Sequence, residues 1–208
     1  MGAEYRTEQE TFWAGEFGNE YLKRNRGAEW IAANLAFFSK ILSRTEKVGS
    51  AIEFGANIGL NLIALKQLLP HAELSAIEIH EGAVRELSSL GFVKPYHQSI
   101  LDFSPDYERD FVLIKGVLIH INPDMLPEVY DRLYASSGRY ICVAEYYNPA
   151  PVTVNYRGNA DRLFKRDFAG EMLDRFSDLQ LLDYGFAYHR DPKFPQDDLT
   201  WFLMEKRR

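Results

Sequence analysis

The run Glu53-Phe54-Gly55-Ala56-Asn57-Ile58-Gly59 joins an acidic residue to a Gly-x-x-x-Gly turn, directly ahead of an apolar stretch with helical spacing. A strand that ends in an acid and turns through glycines into a helix brings backbone N–H groups and a helix N-terminus beside a ligand. Gly55 lets the main chain approach without a Cβ, Ala56 keeps the turn small, and Gly59 permits tight entry into the helix. A dinucleotide fingerprint reads Gly-x-Gly-x-x-Gly, and here Asn57 stands where the middle glycine clears room for a pyrophosphate. The turn therefore suits an amino-acid-headed nucleoside better. Glu78, 25 residues after Glu53, closes the next apolar run with Ile79 beside it. A carboxylate at that point accepts hydrogen bonds from both ribose hydroxyls of an adenosine. In Gln98-Ser99-Ile100-Leu101-Asp102, Ser99 is the candidate for an adenine amino group and Ile100 for its ring face. Asp102 is an alternative polar partner, and a plain loop with a turn-forming Asp is the other reading.

These residues need a scaffold. Trp30, Ile31, Ala33, Asn34, Leu35, Phe38, Ile41 and Leu42 recur at helical spacing, which predicts a helix from Gly27 to about Leu42. Strands are expected at Ser50–Phe54, Glu73–Glu78, Phe92–His97, Asp110–Lys115 and Tyr140–Glu145, the third weakened by Pro95. Helices are expected between them: Leu60–Leu69 stopped by Pro70, Gly82–Leu90 ending at Gly91, and Pro123–Tyr134 with Asn122 as N-cap. A polar, aromatic insertion from Tyr146 to Asn159 precedes a helix over about Arg166–Phe176. Two strand-like segments, Leu179–Tyr188 and Leu199–Glu205, close the chain. Strand–helix alternation implies a parallel α/β sheet with right-handed crossovers. The last two strands, joined by a long non-helical link, read instead as an antiparallel hairpin at the sheet edge.

The bulk composition narrows the partners. The 208 residues carry a formal charge of −6, which supplies no global basic field for nucleic acid. Cys142 is the single cysteine, so a disulfide within the chain is impossible. The histidines at 71, 80, 97, 120 and 189 are scattered, so no metal site is expected. The first residues lack the apolar core of a secretory signal, and no run is long enough to span a bilayer, so a cytoplasmic protein without membrane contact is expected.

From about Ser50 to Glu145 these pieces resemble the class I S-adenosylmethionine-dependent methyltransferases. Three further stretches, one of them within that core, narrow the likeness. They are Gln9-x-x-Phe12-Trp13-x-Gly15-x-Phe17-Gly18-x-x-Tyr21-x-x-Arg24-Asn25, Lys115-Gly116-Val117-Leu118-Ile119-His120-Ile121-Asn122-Pro123, and Glu145-Tyr146-Tyr147-Asn148-Pro149 with Asn155-Tyr156-Arg157-Gly158. Together they look like the pseudaminic acid biosynthesis-associated methylases, a bacterial family spanning about this whole chain. The resemblance implies a Rossmann-like, seven-stranded, mostly parallel sheet with a terminal antiparallel hairpin and helices on both faces. It implies one domain: a helical cap or lid over 1–45, a cofactor core over 50–145, an acceptor-side insertion and helix over 146–176, and the hairpin over 177–208. It also implies S-adenosyl-L-methionine as cofactor, with Lys115 and Gly116 along its methionine part.

On the acceptor side, the resemblance implies a lid in which Tyr21 and Arg24 join Phe12, Trp13 and Phe17. His120 is the best-placed base at neutral pH, although a histidine there also serves as a helix-entry hydrogen bonder. Lys115 either extends its ammonium to solvent or meets an acidic substrate. Tyr146 and Arg157, with Arg162, Lys165 and Arg166 near them, suit an anionic or polyhydroxylated small-molecule acceptor. The expected activity is methylation of a small polar metabolite such as a sugar acid, nucleotide sugar or amino-acid-like molecule, on oxygen or nitrogen, by a monomer or homodimer. The competing reading is a non-catalytic cofactor-binding or scaffold protein of surface-glycan assembly.

Overall fold

A computed structural model of the chain describes residues 5–22, 27–156 and 159–207. Five runs become parallel strands: β1 (Ser50–Phe54), β2 (Glu73–Glu78), β4 (Arg109–Lys115) and β5 (Ser137–Glu145), largely buried on both faces, and β3 (Val93–His97), a partly exposed edge. Two longer strands, β8 (Leu179–Ala187) and β9 (Leu199–Lys206), complete a seven-stranded sheet among the described residues, in the order β3-β2-β1-β4-β5-β9-β8. The pairs from β3 through to β5 are parallel, whereas β9 runs antiparallel to both β5 and β8. The expected terminal hairpin is therefore present.

Period-2 alternation divides the buried side chains between two cores. Ile52, Phe54, Val112, Ile114, Ile141 and Val143 point to the side of α6 (Leu126–Ser136) and α7 (Phe168–Arg175). Ala51, Leu74, Phe111, Leu113, Tyr140 and Cys142 face α3 (Ala28–Leu42) and α4 (Leu60–Leu68). α5 (Glu81–Ser89) adds Ala83 and Leu87 to the buried set. Ahead of α3, two short helices, α1 (Glu8–Ala14) and α2 (Glu16–Tyr21), lie over the C-terminal ends of the strands, where they wall the central crevice. Strand order reverses between β1 and β4, and that switch point opens a crevice at the strand ends.

The insertion differs from the expectation. Beyond Glu145 the chain forms an antiparallel pair, β6 (Val152–Tyr156) and β7 (Asn159–Lys165), separate from the main sheet. β-Branched Val152, Thr153 and Val154 favour the extended backbone, and Leu163 and Phe164 are buried beneath it. The following helix starts at Phe168, because the Asp167 side chain accepts from the Gly170 N–H at 2.8 Å and caps it there. Asn122 caps a 3-10 turn over Pro123–Met125, and α6 proper begins after that turn. β5 also starts at Ser137, ahead of the apolar run.

Trp201 on β9 is among the largest fully buried side chains, and a Cβ at Gly185 would stand 2.8 Å from its ring. It fills the seam that joins the hairpin to β5, opposite Ala144. Trp201→Ala is expected to lower the unfolding free energy by about 3–5 kcal/mol. Urea unfolding should show a lower midpoint at unchanged slope, and a loss below about 1 kcal/mol would mean the seam repacks.

Candidate functional site

The β1–α4 turn is shaped by backbone conformations that few residues other than glycine adopt. Gly55 has φ +74° and Gly59 φ +82°, and Asn57 joins them in the left-handed region at φ 49°. A Cβ on Gly55 would stand 2.7 Å from Val117 Cγ2, so this glycine is needed where β1 and β4 converge. The N–H groups of Gly55 and Ala56 both donate to Ile77 O, at 2.9 and 3.2 Å. Above this turn lies a cavity of about 260 Å³. Among the residues singled out in the sequence, Tyr21, Gly55, Ala56, Asn57, Glu78, Ile79, Ser99, Ile100, Lys115, Gly116, His120 and Tyr146 all line it. Glu53 is buried at the end of β1, and Gly59 enters α4. Arg24 and Arg157 lie outside the described residues.

On the β2 side, Glu78 is tied to both neighbouring turns. Its Oε2 accepts from the Asn57 N–H at 2.8 Å and its Oε1 from the His80 N–H at 2.7 Å. Burial pushes its carboxyl above the ordinary range, against the pull of these N–H groups and that of Ile79. A carboxylate offers about four acceptor positions, so capacity for further donors in the cavity remains. His80 caps α5 by accepting from the Ala83 N–H at 3.3 Å through Nδ1, and burial lowers its pKa.

Ser99 has a different neighbourhood from the one expected. Its hydroxyl donates to Glu10 Oε1 on α1 and accepts from the Leu101 N–H at 3.0 Å. The other Glu10 oxygen accepts from the N–H groups of Arg6 and Thr7, both at 2.8 Å. The Arg6 guanidinium donates to Leu101 O at 2.9 Å and to the Glu128 carboxylate at 2.9 and 2.8 Å. The N-terminal arm is thus moored to the Ser99–Asp102 turn and to α6. The readable signal for Glu10 was the capping box Thr7-x-x-Glu10, whose two reciprocal bonds are present.

Between β1 and β4 lies a buried polar cluster. Glu53 Oε1 accepts from Asn61 Nδ2 at 2.5 Å, while its Oε2 is buried with no hydrogen-bond partner among the described residues. Burial pushes the Glu53 carboxyl up to about 8. Lys115 Nζ donates to Asn34 Oδ1 at 3.3 Å and to Asn61 Oδ1 at 3.4 Å, and burial lowers its pKa against the attraction of Glu53 and Asp197. Gln196, from the link ahead of β9, donates to the same Asn34 oxygen at 3.0 Å. Asn34, Asn61 and Gln196 were not singled out in the sequence. Asn34 sits on the helix face that reads as apolar.

The turn after β4 is held from below. Glu145 Oε1 accepts from the N–H groups of Val117 and Leu118, each at 2.9 Å, and burial pushes this carboxyl up to about 7. His120 ends the 3-10 turn Leu118–His120, with its ring centroid 4.6 Å from that of Trp13. Trp13 in turn meets Phe17 and Tyr21 edge-on, each at 5.2 Å. The aromatic residues of α1 and α2 therefore cover His120. Among the described residues, no group of three or more His, Cys, Asp or Glu side chains could hold a metal ion. No helix among them is long and apolar enough to cross a membrane.

No family model matches the chain, and no curated protein does. Solved structures do match. The magnesium protoporphyrin IX methyltransferase of Synechocystis PCC 6803 with bound S-adenosylmethionine shares 12% identity, over 98% of this chain and 100% of that one, with a TM-score of 0.67. The 1,6-didemethyltoxoflavin-N1-methyltransferase of Burkholderia thailandensis, with bound 1,6-didemethyltoxoflavin and S-adenosylhomocysteine, shares 12% over 100% and 94%, with a TM-score of 0.69. The plantazolicin methyltransferase bound to S-adenosylhomocysteine shares 15% over 96% and 94%, with a TM-score of 0.67. The sheet order, the terminal antiparallel pair and these likenesses agree: the chain has the Rossmann-like fold of the class I S-adenosylmethionine-dependent methyltransferases.

Proposed function

We propose that the chain is an S-adenosylmethionine-dependent methyltransferase acting on a small polar acceptor. The observation that carries this reading is a buried acid and a half-buried amine at the strand ends. Among the described residues a Glu53 carboxyl oxygen without a partner and the Lys115 ammonium belong to one cluster, beside a cavity that Lys115 and Glu78 both line. An amino-acid head carries both an ammonium and a carboxylate, and a nucleoside carries ribose hydroxyls. Glu53 would hold the first, Lys115 the second and Glu78 the third. Ile79 and Ile100 would flank the adenine ring, and Ser99 with Glu10 would face its polar edge. Asn57 and Gly116 would supply the turns on either side.

The cofactor would supply an electrophilic methyl group on a sulfonium centre. The chain's own contribution is positioning, which accounts for much of the rate in an in-line displacement, together with removal of the acceptor's proton. His120 is the candidate for that proton, held in the cavity wall under Trp13. Tyr146 lines the same wall, and Tyr21 with Trp13 would exclude water from above. The narrower reading, a pseudaminic acid biosynthesis-associated methylase, is supported by the places of its quoted residues: Trp13, Tyr21, His120 and Tyr146 all border one cavity. Neighbours of this fold act on acceptors as different as a toxoflavin precursor and plantazolicin, so the acceptor is read from this chain's own walls.

Calorimetry should detect micromolar binding of S-adenosylmethionine. Glu78→Ala is expected to weaken it about a hundredfold, the worth of two charge-assisted hydrogen bonds. Gly55→Val should abolish it by closing the turn onto Val117. Unchanged affinity in both variants would overturn the cofactor assignment.

Binding should also release a proton. Free Glu53 titrates near 8, and a cation placed against its buried oxygen lowers that value. Between the lowered pKa and about 8, the free protein holds the proton and the complex does not. Affinity therefore rises with pH through this window and levels off above it. Calorimetry at pH 7 in buffers of different ionisation enthalpy should show release, and Glu53→Gln should remove both the release and the slope. Equal proton release from wild type and variant would assign it to another group.

A further inference from the structure

A second cavity, of about 370 Å³, adjoins the first and shares Tyr146 and Asp197 with it. Its other walls come from Tyr147, Lys165, Phe186, His189, Asp198 and Thr200. Tyr146, Tyr147 and Phe186 bring carbocyclic aromatic rings, and two of these residues are exposed, Tyr147 at 41% and Phe186 at 57%. Rings presented to solvent beside a catalytic-type crevice offer flat apolar surface to a ligand.

The charges in this cavity are unequally satisfied. Asp198 accepts from the His189 N–H at 2.9 Å and meets His189 Nδ1 at 2.8 Å. Those two contacts, with Lys165 acting through space, hold its carboxyl below the usual range. Asp197 has no such arrangement. Among the described residues no donor or cation stands at bonding distance from its side chain, and Lys115 acts on it only through space. Lys165 likewise has no carboxylate at ion-pair distance among the described residues, and its ammonium lies 5.2 Å from the Tyr146 ring centroid. Asp197 lines both cavities, whereas Lys165 lines only the second. One unpaired negative charge thus sits at the junction, and one unpaired positive charge lies over Tyr146 and lines the second cavity alone.

We propose that the second cavity is the acceptor subsite and takes a ring-bearing molecule oriented by these two charges. Its anionic group, carboxylate or phosphate, meets Lys165, and its N–H or O–H donor meets Asp197 at the junction. The body of the ring lies against Tyr146, Tyr147 and Phe186. This assignment rests on the methyltransferase reading and adds to it the direction in which the acceptor lies.

The test is binding rather than turnover. Saturation-transfer NMR titrations use the full chain with and without S-adenosylhomocysteine, and three probes: 4-aminobenzoate, 4-aminophenyl phosphate and aniline. At least one anionic probe is expected to bind about tenfold more tightly than aniline, as a charge-assisted contact provides. Lys165→Ala should erase that advantage and leave aniline unchanged. Asp197→Ala should weaken all three probes, with the melting temperature kept. Whichever anionic probe binds better tells carboxylate from phosphate. No advantage of either anionic probe over aniline, or an advantage that survives Lys165→Ala, would overturn the subsite. Absence of S-adenosylhomocysteine binding would instead strike the cofactor reading and leave the probe result standing.

Discussion

Glu53 and Lys115 are an acid and an amine at the ends of adjacent strands, the first buried and the second half-buried, joined through amides. The β1–β4 register pairs Glu53 with Leu113, so Lys115, two residues further on, falls on the same face of the sheet. Asn61 from α4 bridges them, donating to the acid through Nδ2 and accepting from the ammonium through Oδ1. Removing an unpaired charge from water is expensive, and a buried pair is tolerated only when further hydrogen bonds satisfy it. The amides meet part of that requirement and leave one Glu53 oxygen without a partner. The upward shift of Glu53 and the downward shift of Lys115 are two expressions of this incomplete solvation. The elements around the crevice can then be read by what each brings to the pair. α4 contributes Asn61, α3 contributes Asn34, and the chain ahead of β9 contributes Gln196.

The same logic explains the N-terminal arm. Two short helices of seven and six residues have little stability alone, so their placement must come from tertiary contacts. Glu10 provides one set by closing its own helix cap while receiving Ser99, and Arg6 provides another by reaching Glu128. Trp13 adds the third, packed on His120 and Tyr21. These three sets of contacts hold the arm against the crevice that it lines.

Local patterns made some of this legible from the sequence. β1 and β2 were readable to the residue, because strands buried on both faces appear as short apolar runs bounded by turns. The glycine turn and Glu78 were readable because their spacing is dictated by one β-α-β unit. The β6–β7 pair was hidden, since tyrosines, asparagines and cations dilute its β-branched alternation. The polar start of β5, Ser137-Gly138-Arg139, carries no strand signal of its own and is held by Ser137 opposite Arg109 on β4 and by the Arg139 side chain on Glu205 of β9. Asn34 and Gln196 are 162 positions apart, and neither has a local pattern that predicts their hydrogen bond. Their meeting is set by topology, which single-residue spacing does not encode.

That topology has a chemical consequence. In this sheet the parallel strands all end at the crevice, so a further parallel strand would begin at the opposite edge and carry its preceding loop away from any ligand. β9 is antiparallel to β5, with Thr200 opposite Glu145 and Trp201 opposite Ala144. Its start therefore lies beside the end of β5, and the residues just ahead of it arrive at the crevice. Gln196 reaches Asn34, Asp197 enters both cavity walls, and Asp198 pairs with His189. Reversing one strand converts a terminal hairpin from an edge cover into a wall of the site. β8 runs antiparallel to β9 and ends with Ala187 opposite Leu199, so the long non-helical link between them stays at the crevice end and can furnish that wall.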